Sequence, residues 1–481
     1  MPILDLALPA SSNKGIEPHA GVASLTNCYV VPAGTEQKTQ MQIWAASGLD
    51  SVVTLPTTGG VRNMTEVDGQ LYATIGRSEY LIDAGGSATL IGAIPSDGFV
   101  GSARNQRASG TQVIKVCDGG KWVFVSGTQT PITDPDLPPP IDVCVVNQSA
   151  IFACANGSMF RSEINDATNI DGLDTAAAES SPDGLLRVVD RGPDVIPIGT
   201  RSAEVWTDQG SEAFGFSRTN VIQIGAVGQR AVTKGAILGQ SIADTVAWVA
   251  TNSEGRYAGI AMLSGYTPQK ISTAWVDRIV DQVADKASIV ASSWVERGRS
   301  FLAWRLPDRT ILYDTSTGQW HERRSLSGTG DMTTWRVAHT AVLGGRVMAG
   351  DADNPKLYWL DPDTSDEDGD EMVVQVTTPP ANAFPGRIEM NQLYLDVVPG
   401  VGLVNGESQD IDPVVTLQMS RDGEVWSAGR DRRLGIGGER GATVSWSSLG
   451  TFRSASFRLT CSARVVRGFL SARWDGRTIG P

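Results

Sequence analysis

Val113-Ile-Lys-Val-Cys-Asp-Gly-Gly-Lys-Trp-Val-Phe-Val125 is the stretch that decides the fold class. Its two runs of β-branched and aromatic residues flank Asp-Gly-Gly, the turn chemistry of a tight hairpin. Ala150-Ile-Phe-Ala-Cys-Ala-Asn-Gly-Ser-Met-Phe160 repeats the arrangement around Asn-Gly. Similar short runs, bounded by Gly, Asn or Asp, extend outward from these two. They occupy 67–74 and 79–82 on one side, and 202–206, 244–249, 299–304, 309–314, 346–350 and 356–360 on the other. The units recur about every 40–50 residues, the spacing of four-stranded propeller blades. Residues 41–365 have room for six or seven blades, with closure expected from strands at the two ends of that region. No WD or kelch signature is present, and an irregular two-sheet sandwich also fits these runs.

The flanks differ from this middle region. Residues 1–40 are irregular, with Pro2, Pro9, Pro18 and Pro32 and one strand candidate, Cys28-Tyr-Val-Val31. Such a segment seldom folds alone, and it is expected to dock on the domain at the other end of the chain. Residues 366–481 alternate clearly. Val415, Leu417 and Met419 fall on one face of a strand, and Phe457, Leu459 and Cys461 on one face of another. Period-two alternation of this kind predicts an antiparallel β-sandwich or platform. One helix interrupts the strands. After Ser272 or Thr273 as N-cap, Val276, Ile279, Val280 and Val283 recur at helical spacing, a stripe that belongs in a core.

Between the second and third regions lies Asp361-Pro-Asp-Thr-Ser-Asp-Glu-Asp-Gly-Asp-Glu371, with seven acids and no base. Such a run reads as a solvated linker. Asp361 and Asp363 open like a calcium loop, but Asp366 stands where that loop needs glycine. The net charge is −13, unevenly spread. From Arg421 onward there are eleven Arg, no Lys and five acids, a net of +6, which leaves −19 for the remainder. An acidic body argues against general nucleic-acid binding. An all-arginine basic domain argues for an ordered partner surface. Arg430, Arg432 and Arg433 are expected in one short polar loop with Asp431, before the Gly-rich turn 435–441, and are candidate interface residues.

Little else suggests chemistry. Cys28, Cys117, Cys144, Cys154 and Cys461 lack C-x-x-C spacing and read as buried reduced thiols. His19, His321 and His339 form no zinc pattern, and neither a nucleophile elbow nor a Walker loop occurs. The tryptophans at 248, 294, 304, 320, 335 and 359 read as wedges between blades, not sugar platforms. No catalytic, metal or cofactor-binding residue is expected. The first ten residues lack a basic signal-peptide region, and no apolar run approaches a membrane span. Synthesis and folding in a cytosol are therefore expected.

Ser264-Gly-Tyr-Thr-Pro-Gln-Lys-Ile-Ser-Thr273 resembles the signature of the tail-nozzle proteins of short-tailed bacteriophages, also called packaged-DNA stabilisation or tail-hub proteins. Ile198-Gly-Thr-Arg-Ser-Ala-Glu-Val-Trp206 with Phe214-Gly-Phe216 resembles a strand and turn of that family, and Asp244-Thr-Val-Ala-Trp248 the strand before the Tyr-Thr-Pro-Gln turn. Leu393-Tyr-Leu-Asp-Val-Val-Pro-Gly-Val-Gly-Leu403 and Gln418-Met-Ser-Arg-Asp-Gly-Glu-Val-Trp-Ser427 resemble its C-terminal domain. The resemblance implies a structural virion protein without enzymatic activity or cofactor. It implies a hexameric tube below the portal and adaptor rings, through which double-stranded DNA passes without specific binding. Tail fibre, spike or needle proteins are its further implied partners. The expected location is the virion tail, and the host cytoplasm during assembly. On this reading Asp361, Asp363, Asp366, Glu367, Asp368, Asp370 and Glu371 are candidate channel-facing acids. The alternative is a propeller that binds or hydrolyses carbohydrate, marked by a pocket of paired carboxylates and exposed aromatics.

Overall fold

The computed structural model describes residues 3–480, apart from 36, 108–109, 179–180, 182, 211–213 and 240–241. Its central element is a β-propeller of seven blades, the larger of the two counts the spacing allows. Six of them span 61–93, 101–131, 140–177, 185–222, 224–270 and 290–326. The seventh joins three strands from 337–361 to Gly48–Thr54. Adjacent inner strands abut one another, and Val337–Leu343 meets Val61–Val67 to close the ring. Closure thus depends on a strand from the far end of the chain: Leu49, fully buried, lies opposite Leu360.

Turn chemistry explains how each blade folds back on itself. Asp118 and Gly119 have φ of 46° and 83°. Positive φ at both central residues is the geometry that matches the twist of two paired strands, and Asp-Gly tolerates it. The blades then pack through separate apolar wedges. Trp304 and Trp320 lie 5.7 Å apart between the fifth and sixth blades, and Trp294 and Trp335 lie 5.6 Å apart between the sixth and seventh. The helix Ala274–Asp281 is capped by Thr273, whose hydroxyl accepts from the Val276 N–H, and it buries Trp275, Val276 and Val280 in the first of these wedges. The signature stretch before it differs from expectation. Its turn is Gly265–Tyr266, and Thr267–Lys270 is the outermost strand of the fifth blade. Pro268 is tolerated there because an edge strand leaves one side of its backbone unpaired.

Two further sheets form a sandwich around one core that includes Trp446, Phe457, Leu393 and Trp474. One sheet carries Ile3–Leu6, Gly468–Ile479, Arg387–Val397 and Val444–Phe452, with Cys28–Pro32 and Met41–Ala45. The other carries Ser24–Thr26, Val374–Thr377, Ser454–Cys461, Val414–Ser420 and Arg430–Arg433. Ser24–Thr26 also pairs with Gln319–Leu326, so this second sheet continues directly into the sixth blade. All five cysteines are buried and unpaired. Among the described residues no helix is long and apolar enough to cross a membrane.

Candidate interaction surfaces

The propeller axis is a cavity of about 480 Å³, lined by inner-strand residues including Met64, Ala103, Val143, Val188 and Ala341. Its charged groups are held in pairs: Arg187 with Asp142 at 2.5 Å, Lys234 with Asp190 at 2.6 Å, and Arg104 with Glu66 at 3.5 Å. Burial raises the Asp142 carboxyl above the usual range, against the pull of Arg187. The mouth where the inner strands begin is closed from the loop between the first two blades. Phe99 lies 4.5 Å from the Arg187 guanidinium, and Arg230 crosses the axis to donate to the Asp97 carbonyl at 3.3 Å. The half-buried His339 faces this mouth. Burial first, and then Arg230, Lys115, Arg187 and Arg62, push its imidazole down to about 4. The carboxylates that line the axis are therefore tied to cations, and the six tryptophans are at most 8 % exposed. The pocket of free carboxylates and exposed aromatics that would favour carbohydrate chemistry is not what these residues form.

The acidic run is not a solvated linker. Asp366–Glu367 and Asp370–Glu371 form a small hairpin beyond the outer strand of the seventh blade. The run is also largely neutralised. Asp361 meets Arg346 at 3.1 Å, Asp363 meets Arg297 at 3.2 Å, and Asp366 meets Arg464 at 3.8 Å. Asp368 meets Lys356 at 2.7 Å, Asp370 meets Arg336 at 2.6 Å, and Glu371 accepts from Gln409 at 2.7 Å. Glu367 is only 1 % exposed. It accepts from Ser325 at 2.6 Å, Trp335 at 2.9 Å and Arg323 at 3.2 Å. Sequence alone hid this because the six cations and three neutral donors all lie outside the run. Glu367 therefore takes no part in any water-facing wall; Asp363 and Asp370 remain on the surface.

Arg430, Arg432 and Arg433 lie on a strand, not in a loop. That strand is an edge of its sheet, paired with Val414–Ser420. Arg430 donates to the Ser447 carbonyl at 2.6 Å and Arg432 to the Ser445 carbonyl at 2.7 Å. They thereby cover the free edge of Val444–Phe452 in the facing sheet, where bare carbonyls would invite a foreign strand. Arg433 pairs with Asp412 at 2.6 Å and Glu439 at 3.7 Å.

Other arginines of the sandwich, like Arg430 and Arg432, have no carboxylate partner among the described residues. Arg387, Arg421 and Arg453, with His19 and Phe384, line a cavity of about 680 Å³ at one end of the sandwich. Phe384 is 76 % exposed there. The all-arginine composition signalled such a surface in bulk, but no local spacing joins these three positions.

No curated protein matches the chain. Solved structures similar to it include virginiamycin B lyase from Staphylococcus aureus, at 12 % identity over 65 % of this chain and 98 % of that one, with a TM-score of 0.42. A chain of the mitotic checkpoint complex matches at 11 % identity over 69 % of this chain and 95 % of that one, with a TM-score of 0.43. The WD40 propeller domain of Doa1 matches at 7 % identity over 65 % and 96 %, with a TM-score of 0.38. None of these bears on function at such identities and scores. The family model described as Bacteriophage P22 Gp10, beta-propeller, matches residues 23–365, more than half of the chain. The protein belongs to this family of phage tail-nozzle and stabilisation proteins and is a structural component of a phage virion.

Proposed function

We propose that copies of this protein form a ring, six in the reading that the resemblance implies, as the nozzle of a phage tail. The ring sits below the portal and adaptor, closes the packaged genome in and conducts it on ejection. It assembles in the host cytoplasm and carries no catalytic activity. Family membership supports the nozzle role. The observation that carries the conduit geometry is the narrow propeller axis, blocked at one mouth by Phe99, Arg187 and Arg230. A duplex does not thread such an axis, so each propeller is a solid wall block and the bore lies between copies. An acidic wall suits this role, because it repels phosphates and lets the duplex slide. Asp363 and Asp370 are the members of the acidic run proposed to face that bore. The arginine-rich sandwich meets the adaptor, with the Arg430–Arg433 edge as the proposed contact, and fibre, spike or needle proteins attach to the ring.

Electron microscopy of the purified protein, or of the virion that carries it, tests this reading. The expected image is a ring whose continuous bore lies outside the propeller axes. In a mobility-shift assay at low salt the protein should leave duplex DNA unbound. A particle without a bore, or tight DNA binding, would overturn the reading.

A further inference from the structure

The two ends of the sandwich are unlike and complementary. Strand Arg387–Val397 has eleven residues and runs the length of the domain, which sets its ends about 33 Å apart at ~3.3 Å per residue. At its start, Arg387 lies opposite Ile479, and Phe452 and Arg453 are close by. This is the concave end, with three arginines that lack a carboxylate among the described residues and the exposed ring of Phe384.

Past the other end of that strand, three segments interlock into a tip. The Gly400 N–H donates to the Leu434 carbonyl at 3.0 Å, Gly402 to Gly435 at 3.2 Å, Leu403 to Asp410 at 2.7 Å, and Gly438 to Gly400 at 3.1 Å. The approach is so close that a Cβ on Gly402 would sit 2.2 Å from the Ile411 carbonyl oxygen. On this fixed backbone Leu403, Val404, Ile411 and Ile436 all face water, Val404 at 88 % exposure. Residues 399–412 carry Glu407, Asp410 and Asp412 and no base. Asp410 is buried within the tip, while Glu407, Asp412 and Glu439 are at its surface, Glu407 3.8 Å from Arg464, Arg433 between the other two, and the exposed Arg440 next to Glu439. Clustered aliphatic side chains with a charged rim, held on hydrogen-bonded backbone, mark an interaction surface.

We propose that the two ends bind each other between copies: the apolar tip of one copy seats in the arginine-lined pocket of the next. The tip is convex and apolar, with a rim of paired charges; the pocket is concave, basic and floored by an exposed aromatic ring. Because the two patches differ, the contact is head-to-tail, and each chain of copies keeps a free tip and a free pocket until it closes. This inference rests on the ring reading and names the surface that builds the ring.

Full-length protein in sedimentation velocity tests it. Val404→Arg places a like charge against the pocket, and Arg387→Glu with Arg453→Glu reverses the pocket itself. All three positions are exposed, so the fold should persist, as circular dichroism will verify. Should the double variant unfold, Arg421→Glu, on a turn, takes its place. Each variant should weaken association about 30-fold, the scale of a central interface residue. An equimolar mixture of the two should yield dimers and nothing larger, since only one sound tip meets one sound pocket. Variants that assemble like the wild type, or a mixture without dimers, would overturn the proposal and leave the ring reading standing. A wild type that stays monomeric at the highest attainable concentration would end both.

Discussion

Replacing Glu367 by alanine isolates what joins the propeller to the acidic hairpin. Glu367 and Arg323 are 1 % and 2 % exposed and 3.2 Å apart, and the guanidinium also lies 4.4 Å from the ring of Trp335. Without the carboxylate, Arg323 stays buried and charged with the Ser47 carbonyl as a remaining acceptor, and the Trp335 N–H loses its partner. Removing one member of a buried ion pair costs about 3–5 kcal/mol, because the other is left uncompensated. Asp363→Ala, in the same run, provides the contrast. That carboxylate is 93 % exposed and pairs with Arg297, and such surface pairs are worth about 0–1 kcal/mol. Glu367→Gln should fall between the two, since it still accepts from Trp335 and Ser325 but no longer carries charge. Urea unfolding followed by circular dichroism measures the three variants against the wild type. If Glu367→Ala shifts the midpoint no more than Asp363→Ala does, the hairpin is not held as described and the linker reading returns.

Two other perturbations probe closure and pH. Leu49→Ala should cost about 2–5 kcal/mol, the range for a truncated buried leucine; an unchanged urea midpoint would mean that the seventh blade holds without its donated strand. Burial pushes the His321 imidazole from an ordinary 6.5 down to about 4, so across that window the unfolded chain takes up a proton that the folded one refuses. Stability should be full above pH 6.5 and fall as pH drops toward 4, by up to about 3 kcal/mol from this one group. His321→Gln should flatten that part of the profile, and an unaltered slope would rule out His321 as its source.

The propeller was legible because its information is local. Asp118-Gly119 announces a turn whatever surrounds it, and the recurrence of such turns gives the architecture. Thr273 and the Val276, Val280 stripe likewise fix the helix with information from its own turn. What stayed hidden depends on distant partners. The acids at 361–371 look free because Arg346, Arg297, Arg464, Arg323 and Lys356 are scattered from residue 297 to residue 464. Arg430 and Arg432 look available because nothing in a linear reading brings Ser447 and Ser445 beneath them. The pocket of Arg387, Arg421 and Arg453 was out of reach for the same reason: three strands must meet before it exists.

The path of the chain between the two domains bears on how a ring made of such copies would behave. Ser24–Thr26 bridges the sixth blade and the sandwich through backbone hydrogen bonds, and Asn27 donates side-chain hydrogen bonds to the Arg324 and Val373 carbonyls, both at 2.9 Å. Beside it, Lys14, Arg309 and Arg324 surround the buried Glu322 and hold its carboxyl below the usual range despite the opposing effect of burial. A flexible linker would let each propeller swing about its sandwich. A shared sheet sealed by buried charges does not, because any hinge there would expose unpaired backbone and an uncompensated carboxylate. The angle between sandwich and propeller is therefore a property of the folded chain and not of the assembly. If sandwiches join head to tail, that fixed angle determines where every propeller points, and with it the width of the passage the copies enclose.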